Sequence, residues 1–154
     1  MKVLFVWPEF EKGGFKPMGV ALLSAILAQR GVERRLFDTS IYNIPISGRV
    51  DDVEAGERQL LFPKTELPPE AHKHVDKHFL EAFNEELAWY QPDLVAFSCS
   101  SMSYIIVKKL VQGMGALDKR PALAMGGIHA LSYTQDVVQD ALFDYACLGE
   151  GEYS

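Results

Sequence analysis

Residues 93–127 read DLVAFSCSSMSYIIVKKLVQGMGALDKRPALAMGG, and this stretch decides the fold. Asp93-Leu94-Val95-Ala96-Phe97 is a short, continuous apolar run of the kind buried on both faces of a parallel sheet. It enters Ser98-Cys99-Ser100-Ser101, after which a helix is expected over about Met102 to Leu117. Pro121-Ala122-Leu123-Ala124-Met125 is another buried strand, closed by Gly126-Gly127. Strands that alternate with helices predict an α/β domain built on a parallel sheet.

The same rhythm extends in both directions. Residues 3–7 form an apolar first strand, and a turn-rich stretch follows from Pro8 to Pro17. Met18 to Arg30 reads as a helix, with Gly31 as its stop. Val32 to Asp38 is a second strand whose Glu33, Arg34 and Arg35 place it at a sheet edge. Residues 41–69 break the rhythm with Pro45, Gly48, Gly56, Pro63, Pro68 and Pro69. Irregular segments of that length are uncommon in compact domains, so this insertion is expected to be the most mobile part and the first site of limited proteolysis. A polar helix is expected from about Glu70 to Tyr90, ended by Gln91-Pro92. A short helix near Gln135–Ala141 leads to a fifth strand, Phe143–Leu148, and then to Gly149-Glu150-Gly151-Glu152.

Composition bounds the function. The 154 residues are 48% apolar and 23% charged, with a net charge of −6, which suits one globular domain over 1–154. That sign argues against a nucleic-acid partner, whose phosphates need cations. No apolar run approaches the roughly 20 residues that span a bilayer, and the amino terminus lacks the pattern of a secretory signal. Cys99 and Cys147 make neither a disulfide framework nor a CxxC pair. The expected setting is reduced and cytoplasmic, with no membrane partner.

Five parallel strands with the most polar one second predict the strand order 2-1-3-4-5 of flavodoxin-like folds, helices lying on both faces. Ligands of such sheets bind beyond the carboxyl ends of the strands. Small residues collect there: Gly13-Gly14, Ser98 to Ser101, Gly126-Gly127, and Gly149 with Gly151. Glycine-rich loops are common, but four on one rim suggest a broad groove for a large, flat ligand. Familiar occupants of this fold fail on their own chemistry. A phosphorylatable receiver needs Asp after the third strand and Lys after the fifth, where this chain has Ser98 and Leu148-Gly149. The GxGxxG and GxxxxGK[ST] loops are absent.

Four segments resemble the cobalamin-binding domains attached to radical S-adenosylmethionine enzymes. Lys16-Pro17-Met18-Gly19 through Ala25 is similar to the start of their first helix. Gln91-Pro92-Asp93 to Ser98 resembles their third strand, Gly126-Gly127-Ile128-His129-Ala130 their GGxHA, and Asp144 to Glu152 their GEGE segment. The resemblance implies a module that binds base-off cobalamin, with Gly14, Phe15, Lys16, Pro17, Met18 and Gly19 along the corrin. It places Ser98, Ser100, Ser101, Gly126, Gly127 and His129 at the nucleotide tail, and Gly149, Glu150 and Gly151 at the rim. No catalytic residue or protein metal ligand is assigned. The family's CxxxCxxC motif is missing, so the 4Fe–4S cluster and S-adenosylmethionine are expected on a radical domain beyond Ser154. That domain would be the module's partner, and the parent an Fe–S oxidoreductase or methyltransferase. A flavodoxin-like interaction module without a ligand is the alternative.

The histidines are weighed separately. His74 and His78 have i, i+4 spacing, but no third acidic or thiolate ligand is evident and Lys73 and Lys77 would repel a cation, so a solvated helix face explains them better than a metal site, and His72 belongs with them. His129 is expected in a loop, bonded to backbone or ligand. The loop from Pro8 to Pro17 contains no histidine, so no lower cobalt ligand is expected from it. Cys99 and Cys147 read as packing residues. Phe10, Phe15 and Tyr104 read equally well as core or as groove lining.

Overall fold

The computed structural model describes residues 1–10, 17–44 and 75–153. Strands β1 (Lys2–Trp7), β2 (Glu33–Asp38), β3 (Leu94–Ser98), β4 (Ala122–Gly126) and β5 (Tyr145–Ala146) form one sheet in the order β2-β1-β3-β4-β5. Every pairing is parallel, with Leu4 opposite both Arg35 and Val95, and Val95 opposite Leu123. The fold is therefore the flavodoxin-like α/β arrangement that the strand pattern predicts, with β2 at the edge where its charged residues require it.

Side chains alternate across the sheet, and this divides the core in two. Leu4, Val6, Phe37, Val95, Phe97, Leu123 and Met125 face α2 (Phe79–Tyr90), α3 (Tyr104–Gln112), α4 (Ile128–Ser132) and α5 (Thr134–Gln139). Val3 and Phe5 face the other way, against Val20, Leu23 and Leu27 of α1 (Met18–Gln29). Among the described residues, α1 is the only helix on that second face.

Several boundaries differ from the sequence reading. The helix expected from Glu70 begins at Phe79; His78 precedes it in extended backbone and Val75 forms an isolated bridge with Tyr42. His78 therefore does not lie on that helix's surface, and His72 and His74 fall outside the described residues, as do positions 45–69 of the expected insertion. Helix α2 ends where expected: Gln91 is left-handed, its N–H donates to Leu87 O, and Pro92 follows. Gly31, at φ +68°, stops the turn after α1. The third helix is shorter than expected because Asn84 claims the turn beyond it. Its Nδ2 donates to Leu80 O and Gly113 O at 2.9 Å each, and its Oδ1 accepts from Gly115 N–H at 2.7 Å. Strand β5 shrinks to two residues because it pairs only with Ala124 and Met125 of β4.

Asp144 fixes the start of β5. Leu123 N–H donates to its Oδ2 at 2.8 Å, and Arg120 Nη1 reaches both oxygens at 2.9 and 3.1 Å. The Leu123 bond first, and then Arg120, hold the carboxyl below the usual carboxylate range. A depressed folded pKa contributes stability that is present above about pH 4 and lost as the pH falls. Carbon-detected titration should find the Asp144 midpoint below 3.8. Arg120→Ala should raise it only partway, because the stronger Leu123 bond remains; full return to the ordinary value would contradict this account.

Candidate functional site

The carboxyl ends of β3 and β4 are joined by close backbone contact. Cys99 N–H donates to Gly126 O, and His129 N–H donates to Cys99 O, both at 3.2 Å. Between them Gly127 adopts φ +88° and ψ −176°. A Cβ there would lie 2.8 Å from both Cys99 N and Cys99 O, so only glycine fits this crossing.

On the α1 side of the sheet, the floor at this end is made of small residues. Ala96 pairs with Ala124, and Ser98 with Gly126. All four are half-buried, whereas the intervening Val95, Phe97, Leu123 and Met125 are sealed on the other side. These small side chains leave the sheet surface low beside α1, a shallow trough in outline. Its far side carries Tyr145, which pairs with Ala124 and is 64% exposed, and Cys147. The turn after β5 reaches α1: a Cβ on Gly151 would lie 3.2 Å from a Leu23 methyl. A Cβ on Gly126 would meet Cys147 Cβ at 3.6 Å and Phe97 O at 3.8 Å, ordinary contacts both.

The opposite side of the same rim is polar and closed. Ser100 and Ser103 lock each other: their hydroxyls are 3.0 Å apart, and each backbone N–H donates to the other's hydroxyl. His129 Nδ1 lies 3.1 Å from Ser101 Oγ. The His129 ring is stacked between Tyr104 at 4.0 Å and Tyr133 at 5.2 Å between centroids. Tyr104 Oη donates to Asp140 Oδ2 at 2.5 Å, and Lys108 pairs with the same carboxylate at 2.9 Å. These two bonds, Tyr104 first, hold Asp140 below the usual carboxylate range. Burial, reinforced by that carboxylate, pushes the Tyr104 phenol up.

The expected site residues fall into three groups. Ser98, Ser101, Gly126, Gly127 and His129 come together at the β3–β4 rim. Pro17, Met18 and Gly19 open α1, where Met18 is 73% exposed and nothing lies within 4 Å of a Cβ on Gly19. Gly149, Glu150 and Gly151 follow β5, while Gly14, Phe15 and Lys16 lie outside the described residues. Two expectations need correction. His129 sits in helix α4, not a loop, and is buried because the tyrosines cover it. Ser100 spends its hydroxyl on Ser103. Cys99 is buried as expected, its thiol pushed up to about 12 chiefly by burial. Tyr104 packs half-buried against the core, as does Phe10. Sequence reasoning passed over Ser103, Lys108, Tyr133 and Asp140; the Ser-x-x-Ser spacing was the available sign for the first.

Among the described residues, two of the larger clefts lie elsewhere. One of about 600 Å³ is at the amino ends of the strands, lined by Lys2, Pro92, Asp93 and Lys119. Another of about 460 Å³ lies beside β2, lined by Phe37, Tyr42, Glu86 and Trp89. Neither touches a candidate residue. No helix among the described residues is long and apolar enough to cross a membrane.

No protein-family model matches this chain, and no curated protein matches it. Among solved structures it is similar to azoreductase AzrA, at 15% identity over 94% of this chain and 83% of that one, with a TM-score of 0.42.

Proposed function

We propose that this chain is a cobalamin-binding module of a radical S-adenosylmethionine enzyme and is not itself catalytic. The trough floored by Ala96, Ser98, Ala124 and Gly126 is the observation that carries the reading. Its residues are small and half-buried, and it lies at the carboxyl edge where α/β sheets bind ligands. It suits the flat nucleotide tail of cobalamin, while Ser98 offers a hydroxyl to the tail's polar groups. Pro17, Met18 and Gly19, with Gly149 to Gly151, stand at the rim for the corrin. Bound cobalamin would supply a cobalt that carries a methyl group or enters a radical reaction, alongside a 4Fe–4S cluster and S-adenosylmethionine held by a radical domain.

Mixing the protein with hydroxocobalamin and desalting it should leave a red protein fraction. Gly126→Ala should fold as the native chain does, because its Cβ makes only ordinary contacts, yet retain less cobalamin because the trough narrows. A colourless fraction from folded native protein would reject the reading. It would favour the interaction module, which one observation supports: α1 carries no charged residue and exposes Met18 and Leu22.

The positions of the two described histidines support a cobalt without a histidine ligand from either of them. His129 is enclosed on the opposite face of the sheet, and His78 leads into α2, which packs on that same opposite face. Electron paramagnetic resonance of the Co(II) complex should lack nitrogen superhyperfine splitting from an axial protein ligand. Such splitting would overturn the assignment.

A further inference from the structure

His129 is more than a packing residue. It is 6% exposed, and its Nε2 is buried without a hydrogen-bond partner among the described residues. Burying an unpaired lone pair is easier than burying an unpaired N–H. The proton of the neutral ring therefore sits on Nδ1 and is donated to Ser101 Oγ. A second proton would have to go on Nε2, where the closed rim offers it no acceptor.

The groups facing the ring come from every element around it. Asp136 of α5 and Asp140 at its C-cap favour the charged ring, and so do the faces of Tyr104 and Tyr133. Lys108 of α3 opposes it, and Cys99 at the end of β3 is neutral. Asp140 is already engaged by Tyr104 and Lys108. Burial outweighs the favourable neighbours and keeps the ring neutral below its ordinary 6.5.

We propose that His129 is a proton-operated latch on the β3–β4 rim, shut while the ring is neutral and released when it is protonated. Shut, it ties Ser101 to α4 beside the Cys99–Gly126 and Cys99–His129 backbone bonds. On protonation the ring leaves the slot between Tyr104 and Tyr133, Ser101 loses its partner, and the rim loosens. Below about pH 6.5 the ratio of shut to open rim falls by up to about tenfold per pH unit, until the shut-state midpoint is reached. The consequence for ligand capture rests on the proposed cobalamin site; the latch itself does not.

The test is nuclear magnetic resonance of the full chain without ligand, from about pH 8 to about pH 5. The His129 ring should titrate below 6.5. Amide exchange at Cys99 and His129, corrected for intrinsic rates, should rise as the pH falls, while β1 amides hold. His129→Phe keeps the stack without a titrating group and should abolish the pH dependence. A rim whose exchange is flat with pH, or a pH dependence that persists in folded His129→Phe, would overturn the latch. So would a native ring that titrates at its ordinary value, a measurement that needs no variant. Hydroxocobalamin retention across the same range separates the two readings. Loss at low pH in the native chain but not in His129→Phe supports both. No retention at any pH rejects the cobalamin site and leaves the exchange result to decide the latch.

Discussion

Replacing Phe83 by alanine is expected to cost about 3–5 kcal/mol of folding stability, the usual range for deleting a fully buried aromatic ring. Phe83 has no exposed surface. It stands on α2 with its ring 5.2 Å from Phe37 of β2 and 6.5 Å from Phe97 of β3. The one side chain thus couples a helix to two strands that are not neighbours, since β1 lies between them. Alanine would leave a cavity under three elements, and neither Phe37 nor Phe97 can fill it without leaving its own packing. A domain of this kind is stable by about 5–15 kcal/mol, so the loss takes a large share of the total. Urea denaturation should show a markedly lower midpoint with an unchanged slope. A shift worth less than about 1 kcal/mol would mean that α2 is not anchored through this ring.

The sheet could be read from the sequence because each central strand is a burial signal in itself. Val3 to Val6, Leu94 to Phe97 and Leu123 to Met125 are apolar on both faces, as only a covered parallel strand allows. The charged run Glu33-Arg34-Arg35 identified the edge for the same reason. Helix ends were less legible because long-range contacts set them. Nothing near Gln112 announces that Asn84, 29 residues from Gly113, will take that carbonyl. The candidate rim was half legible. Glycines and serines marked the right loops, since backbone approach demands small residues. The stack around His129 was legible only in part: Tyr133 lies four residues on, one helical turn away, but Tyr104 arrives from a distant segment that no local spacing announces. The trough was also hidden: alternate burial along β3 and β4 appears only once α1 is seen to cover part of its face.

Gly127→Ala should be nearly as damaging as the loss of Phe83, by a different route. At φ +88° and ψ −176° this residue occupies a backbone region essentially reserved for glycine, and forcing an L-residue into it costs about 1–3 kcal/mol. The added Cβ would also press on Cys99 N and Cys99 O at 2.8 Å. Both are backbone atoms, so no side-chain rotation relieves the contact, and the ends of β3 and β4 must separate. Separation strains the bonds from Cys99 N–H to Gly126 O and from His129 N–H to Cys99 O, each worth about 1 kcal/mol. The sum is about 3–5 kcal/mol, and unlike the Phe83 cavity it is concentrated at the rim. The variant should therefore lose amide protection first at Cys99 and His129, and the Ser101–His129 contact should open at neutral pH. Gly126→Ala, one residue earlier, is the matched control, because its Cβ meets nothing closer than 3.6 Å. If the two alanines cost the same, the close crossing of the β3 and β4 ends is not what requires glycine at 127.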